Sequence, residues 1–172
     1  VFPEQLVGGY PQEDLVQWQR FVDRQWVELE RFAKETASLA LVSCIGVTVS
    51  QHGLRYNCAA VVAGGKIHGL VPKEKLPTYN IFYEGRTFAR GTVGMKELHR
   101  GVPLGDSAFE FDFGTLAVEV CEDIWSADEP MVRRAYSGAE LICNLSASTF
   151  RVGVDGTRKE LVSTPASDHQ SL

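Results

Sequence analysis

The apolar positions of this chain follow two different rhythms. Between residues 11 and 37, Leu15, Trp18, Val22, Trp26, Leu29 and Phe32 recur at three- and four-residue steps. That spacing predicts one long amphipathic helix laid on a sheet, with both tryptophans in the core. Glu13 and Asp14 fall in its first turn, where the helix dipole favours negative charge. Residues 40–49, 56–63, 67–71 and 116–120 are instead short runs that are largely apolar at every position, as expected of strands buried on both faces. The Gly64-Gly65 pair between the second and third runs suits a hairpin turn, because glycine tolerates the positive φ such turns need.

Elsewhere the pattern is weaker. Phe109, Phe111 and Phe113 alternate with Glu110 and Asp112, a half-exposed strand that Gly114 turns into the 116–120 run. Residues 129–139 read as a short helix with Met131, Val132 and Ala135 inward, and 140–145 as the next strand, ending in Asn144-Leu145-Ser146-Ala147-Ser148. Beyond Arg151 the chain reads as loop, then a helical start near 157–162. Val1-Phe2-Pro3-Glu4 reads as the tail of a strand, and residues 71–86, with Pro72 and Pro77, as a structured loop of the kind that carries function. The pattern alone supports an α/β or α+β domain with buried strands, without repeats, low-complexity tracts or linkers.

Composition narrows the partners. The 172 residues are 44% hydrophobic and 23% charged, an ordinary globular balance, and a net charge of -5 gives no electrostatic reason to expect nucleic acid or an anionic membrane. Cys44, Cys58, Cys121 and Cys143 form no CxxC pair and have no histidine at zinc-ligand spacing, so no metal centre is expected. Cys44, Cys58 and Cys143 lie in apolar runs and read as buried thiols of a reducing compartment. His52 and His68 lie at or near turns and read as surface or satisfied residues. No apolar run approaches the roughly 18 residues of a membrane span, and no signal pattern opens the chain. A cytoplasmic protein is expected, and the opening at Val1 without Met reads as a fragment.

The candidate chemistry centres on residues 116–125. An apolar strand stops at Cys121, and Glu122 and Asp123 follow at once. Ligands tend to bind outside the carboxyl ends of strands in open α/β sheets. A thiol there is either a small buried hydrophobe or a nucleophile, and a nucleophile needs a proton acceptor and an oxyanion stabiliser. Polar groups at other strand ends offer both: Glu4, Lys73 and Ser146/Ser148. Singly, each reads equally as a solvated loop residue. Strands lying side by side would bring them to one pocket.

Together these residues resemble the nitrilase (carbon–nitrogen hydrolase) superfamily, which uses a Glu–Lys–Cys triad. Phe2-Pro3-Glu4 is similar to its glutamate motif and Glu119-Val120-Cys121-Glu122-Asp123 to its cysteine motif. Lys73-Glu74-Lys75-Leu76-Pro77 resembles its lysine motif, in which the lysine stands three residues before the leucine, which selects Lys73 over Lys75. Within the superfamily, the Leu-Pro-x-Tyr and Phe-Tyr-Glu-x-Arg of residues 73–86, Cys121-Glu122-Asp123-Ile124-Trp125, and residues 144–148 resemble the glutaminase domain of glutamine-dependent NAD synthetases. The resemblance extends to about Ser148.

It implies a four-layer α-β-β-α sandwich, incomplete at both ends, with residues 1–172 as the glutaminase domain and the ATP-dependent synthetase domain absent. It implies that Cys121 attacks the side-chain carboxamide of glutamine to give a thioester, with Glu4 as the base and Lys73 and the Glu122 backbone N–H on the oxyanion. Glu84 would position the lysine or the water. Tyr79, Trp125 and Ser148 would line the glutamine pocket, with Ser146 a further candidate. Ammonia would pass on for amidation of deamido-NAD to NAD. No cofactor or metal is implied in this domain; ATP, Mg and deamido-NAD belong to the synthetase domain. The implied partners are glutamine, the synthetase domain and further copies of the chain. A nucleophilic Cys121 is expected to label faster with iodoacetamide than the other cysteines. A stand-alone amidase, carbamylase or nitrilase, or a non-catalytic piece, remain as alternatives.

Overall fold

In the computed structural model, which describes residues 1–128 and 130–171, the apolar runs become the centre of two stacked sheets. The strands are β1 (Val42–Gln51), β2 (Leu54–Ala63), β3 (Lys66–Pro72), β4 (Lys96–His99), β5 (Val102–Gly105), β6 (Ala108–Phe111), β7 (Gly114–Val120) and β8 (Leu141–Leu145). The helices are α1 (Gln19–Glu35), α2 (Pro130–Tyr136) and α3 (Val154–His169). One sheet has the order β1-β2-β3-β5-β4 and the other β6-β7-β8. β1, β2 and β3 form an antiparallel meander, whereas β3 runs parallel to β5 and β7 parallel to β8.

β2 shows why its residues are apolar without alternation. Cys58, Ala60 and Val62 point to one core, with Ile45, Val47 and Val49 of β1 and Trp26, Leu29 and Ala33 of α1. Ala59 and Val61 point the other way, with Cys44 and Val71, onto Phe109, Leu116, Val118 and Val120 of the second sheet. Burying Trp26 and Leu29 stabilises the fold by on the order of 2–3 kcal/mol each. α2 packs on β7 and α3 on α2, which completes an α-β-β-α order of layers. Gly64 and Gly65 turn the β2–β3 hairpin at φ 53 and 81. Among the described residues, no helix is long and apolar enough to cross a membrane.

The helix predicted over 11–37 is interrupted. A 3-10 turn spans Glu13–Gln17, Trp18 is extended with ψ 111, and only then does α1 begin. A buried amide cluster bends the chain here: Gln25 Nε2 donates to Gln12 Oε1 at 3.0 Å, and Thr48 reaches both side chains through its N–H and hydroxyl. Val16 turns into the core, and Trp18 is left 66% exposed, so only one of the two tryptophans is a core residue. The β4–β5 hairpin has no counterpart in the sequence pattern. In α2 the inward residues are Met131 and Arg134, with Val132 and Ala135 only half-buried; the predicted start at Glu129 lies outside the described residues. α3 is longer than the predicted start at 157–162 and runs through Pro165.

Candidate active site

Glu4 is delivered by a tight loop that lies directly on β1. Phe2 N–H donates to Cys44 O at 2.9 Å and Val7 N–H to Gly46 O at 3.1 Å. A Cβ on Gly46 would meet Gln5 N at 2.2 Å and Pro3 O at 2.4 Å, so only glycine there allows the loop this close. The carboxylate is buried and fully engaged. Asn57 Nδ2 donates to Oε1 at 2.7 Å, Lys73 Nζ to the same oxygen at 2.8 Å, and Ala147 N–H to Oε2 at 3.3 Å.

Lys73 follows the last residue of β3 and is 1% exposed. Its ammonium sits between two carboxylates, Glu4 at 2.8 Å and Glu84 at 2.7 Å. Lys75 points away to Asp128 at 2.8 Å on the surface, so geometry favours Lys73 as the buried cation. Glu84, in the 3-10 turn Glu84–Arg86, also accepts from Tyr10 OH at 3.3 Å.

Cys121 follows the last residue of β7, with φ +47, and opens the 3-10 turn Cys121–Trp125. A left-handed non-glycine residue costs of order 1–3 kcal/mol and persists only where its surroundings hold it. Asp123 supplies part of that hold: Oδ2 accepts Val120 N–H at 3.0 Å, while Oδ1 accepts Glu74 N–H at 3.0 Å and Lys75 N–H at 2.8 Å. Asn144 Nδ2 adds bonds to Cys121 O at 3.3 Å and Glu119 Oε1 at 3.1 Å. The thiol lies 3.6 Å from Ser148 Oγ.

Burial sets the electrostatics. It pushes the Cys121 thiol up, the Glu4 carboxylate adds to the rise, and Lys73 pulls the other way without cancelling them, leaving it at about 11. The thiol therefore rests protonated, with about one part in ten thousand as thiolate at pH 7. Attack needs a base beside it, and the Glu4 carboxylate is close enough to act on the thiol's ionisation. Burial opposes the Lys73 charge, but Glu4, Glu84 and Cys121 together hold its ammonium above the ordinary lysine range. Glu84 is pushed up to about 7, first by burial and then, against the pull of Lys73, by the like charge of Glu4.

A cavity of about 90 Å³ opens over the thiol, and Tyr79, Phe82, Glu122, Trp125, Ser148 and Arg151 are among the residues lining it. Glu122 accepts from Tyr79 OH at 2.8 and 2.9 Å, so its side chain faces the cavity as well. Arg158 donates to the carbonyls of Ser148 and Thr149 at 3.2 and 2.9 Å, bracing the far wall. Ser146 stands outside the lining, with its hydroxyl donating to Asn144 Oδ1. A larger cleft of about 340 Å³ shares Glu84 and Phe82 with the site but not Cys121. Among the described residues, no group of three His, Cys, Asp or Glu side chains is placed to hold a metal ion.

Glu4, Lys73, Glu84 and Cys121 thus meet, and Tyr79, Glu122, Trp125 and Ser148 surround the thiol. Sequence reasoning missed Asn57, Tyr10, Asp123, Asn144, Arg151 and Arg158. Asn57 carried a signal, a lone amide inside an apolar strand run, since a buried polar group needs a partner.

The carbon-nitrogen hydrolase family model matches residues 1–164. The chain is 35% identical over 170 residues to the glutamine-dependent NAD(+) synthetase of Thermotoga maritima, covering 98% of this chain and 27% of that protein. Among solved structures, the glutamine-dependent NAD+ synthetase of Acinetobacter baumannii superposes with a TM-score of 0.82 at 28% identity, over 99% of this chain and 30% of that one. The glutamine-dependent NAD(+) synthetase of Cytophaga hutchinsonii gives 0.86 at 24% identity, over 98% and 28%, a likeness of fold. The chain spans about a quarter of the length of the curated relatives it matches.

Proposed function

The chain belongs to the carbon–nitrogen hydrolase family, and from that premise we propose that it hydrolyses the side-chain amide of glutamine through a Cys121 thioester. The observation that carries the reading is one buried ammonium, Lys73, shared by Glu4 and Glu84 and close enough to act on the Cys121 thiol that lines the cavity. In the mechanism, Glu4 takes the thiol proton as sulfur bonds to the amide carbon. Lys73 and the Glu122 backbone N–H stabilise the tetrahedral oxyanion. Glu4 then passes the proton to the departing ammonia, and a water activated by Glu4 releases glutamate from the thioester. Glu84 holds Lys73 through a second ion pair at 2.7 Å.

Glutamine as substrate is supported by the charges around the cavity. An amino acid carries an ammonium and a carboxylate beside its reacting amide, and the lining offers the Glu122 carboxylate and the Arg151 and Arg158 guanidiniums. A simple nitrile or aliphatic amide has no use for either. In the full-length protein the ammonia would serve a synthetase module that binds ATP and amidates deamido-NAD, and the relatives named NAD(+) synthetases support this. Cytoplasmic placement and assembly with further copies of the chain are part of the same proposal.

The test is ammonia release by the full-length protein from glutamine, asparagine, butyramide and an aliphatic nitrile, with Cys121→Ala as control. Glutamine should be preferred by at least about tenfold and its hydrolysis abolished in the variant. Equal turnover of the simple amides would favour a general amidase. Activity retained by Cys121→Ala would remove the cysteine from the mechanism.

A further inference from the structure

We propose that Asp123 is a positioning residue of the hydrolytic reaction, fastening the turn that bears Cys121 to the loop that bears Lys73. The inference rests on the glutaminase reading above and adds to it a part that none of the triad members supplies. Lys73 and Cys121 belong to different sheets. The Lys73 backbone is held on the first sheet alone, its N–H donating to Asn57 O at 2.8 Å and its O accepting from Gly91 N–H at 2.8 Å. Cys121 is held on the second sheet by β7 and by Asn144. Nothing in those bonds fixes one relative to the other.

Asp123 does. Its carboxylate is fully buried and spans the seam. One oxygen takes the N–H groups of Glu74 and Lys75, the two residues after Lys73; the other takes the N–H of Val120, the residue before Cys121. A carboxylate accepts at both oxygens and donates at neither, so it alone satisfies N–H donors on both sides. The next side chain is enlisted too: Glu74 Oε1 pairs with Arg133 and Arg134 of α2. Arg134 in turn donates to Val118 O at 2.7 Å, closing the brace on β7. A misplacement of about 1 Å between catalytic groups costs on the order of a hundredfold in rate, so the brace bears on chemistry as well as on folding.

Asp123→Asn keeps the size but must aim an NH₂ at an N–H on one side of the seam. In the full-length protein, kcat for glutamine should fall about a hundredfold with KM within about threefold, since Tyr79, Trp125 and Ser148 are untouched. Leu29→Ala, a core truncation on α1 away from the seam, is the control for lost stability and should keep kcat within about threefold below its melting temperature. The second readout needs no substrate: the rate of Cys121 alkylation by iodoacetamide at pH 9, resolved by peptide mass spectrometry. Removing a nearby negative charge would by itself speed that reaction. Loss of registration with Lys73 should slow it about tenfold. Asp123→Ser, which keeps one acceptor, is carried alongside in case the asparagine variant does not fold. A folded variant with kcat within threefold of the parent, a loss matched by Leu29→Ala, or faster alkylation would each overturn the proposal. A parent protein inert toward glutamine would overturn the substrate reading instead, and the alkylation rates would then decide the role of Asp123.

Discussion

Replacing Lys73 by methionine should damage catalysis and stability together, and the pH dependence of the stability loss identifies its cause. The ammonium is 1% exposed and touches carboxylates at 2.8 and 2.7 Å. At an effective dielectric of about 20, each contact corresponds to roughly 6 kcal/mol of Coulomb attraction, set against several kcal/mol of desolvation per ion. Removing one partner of a buried pair typically costs about 3–5 kcal/mol, and that is the loss expected at pH 7.5. Glu84 already stands at about 7 with Lys73 beside it, so without the ammonium its folded value lies higher still, well above the unfolded value near 4.3. The folded variant then binds more protons than its unfolded chain, and its stability rises as pH falls. The parent's own Glu84 takes up its proton near 7, so the deficit should narrow as pH falls through the range above 7 and level off below about 6. Lys73→Met/Glu84→Gln, with the second unpaired carboxylate neutralised, should be about 1–3 kcal/mol more stable than Lys73→Met at pH 7.5. Urea unfolding at several pH values, followed through the buried Trp26, measures both effects. A deficit independent of pH, or a double variant less stable than the single one, would refute the shared-ammonium reasoning. Glutaminase turnover should fall by at least about a hundred- to thousandfold in both variants.

Two further outcomes follow from the same electrostatics. Glu84 is pushed up to about 7, by burial first, so kcat/KM should rise with pH through about 7 as it ionises and anchors Lys73. Glu84→Gln should abolish that limb and lower the plateau roughly tenfold, and an unchanged limb in its pH–rate profile would assign it elsewhere. Among the cysteines, the neighbouring Cys44 thiol draws the half-buried Cys143 down, whereas burial first, and then Glu4, push Cys121 up to about 11. The larger thiolate fraction of Cys143 outweighs its lower nucleophilicity, which returns only about half of the pKa difference. Site-resolved labelling without substrate should therefore find Cys143 ahead of Cys121, the reverse of the order expected from sequence. Faster labelling of Cys121 would mean that Lys73 outweighs burial.

That Glu4, Lys73 and Cys121 come together was legible through the motifs they resemble: Phe2-Pro3 before Glu4, Leu76 three residues after Lys73, Glu122-Asp123 after Cys121. What holds the three in place was not, because its partners are distant in sequence. Asn57 lies 53 residues from the Glu4 it serves, and Asp123 reaches back 48 residues to Lys75. In the sequence, Asp123 is simply the second of two acids after a cysteine. The buried strands were readable from their apolar runs, which report burial on both faces. The helix stripe over-extended because Gln12, Gln25 and Thr48, which break it at Trp18, are polar and carry no weight in a hydrophobic pattern. β4 and β5, four residues each, are too short for an alternation to register.

The site belongs to no single layer. Glu4 rides on β1 through the close approach at Gly46, Lys73 leaves β3, and Cys121 follows β7 of the other sheet. The relative placement of Glu4, Lys73 and Cys121 therefore depends on how the two sheets stack, through Cys44, Ala59, Val61 and Val71 against Leu116, Val118 and Val120, as well as on the Asp123 bonds across the seam. Cores are packed to near-crystalline density, so a changed volume there is transmitted rather than absorbed. This explains an otherwise uneconomical feature, the burial of two carboxylates, an ammonium and a thiol where desolvation opposes every charge. Stability alone would favour an apolar seam of the same volume. Polar groups at this position make sense as groups whose spacing the packed sheets hold fixed, so that proton transfer and oxyanion stabilisation need little rearrangement when substrate arrives.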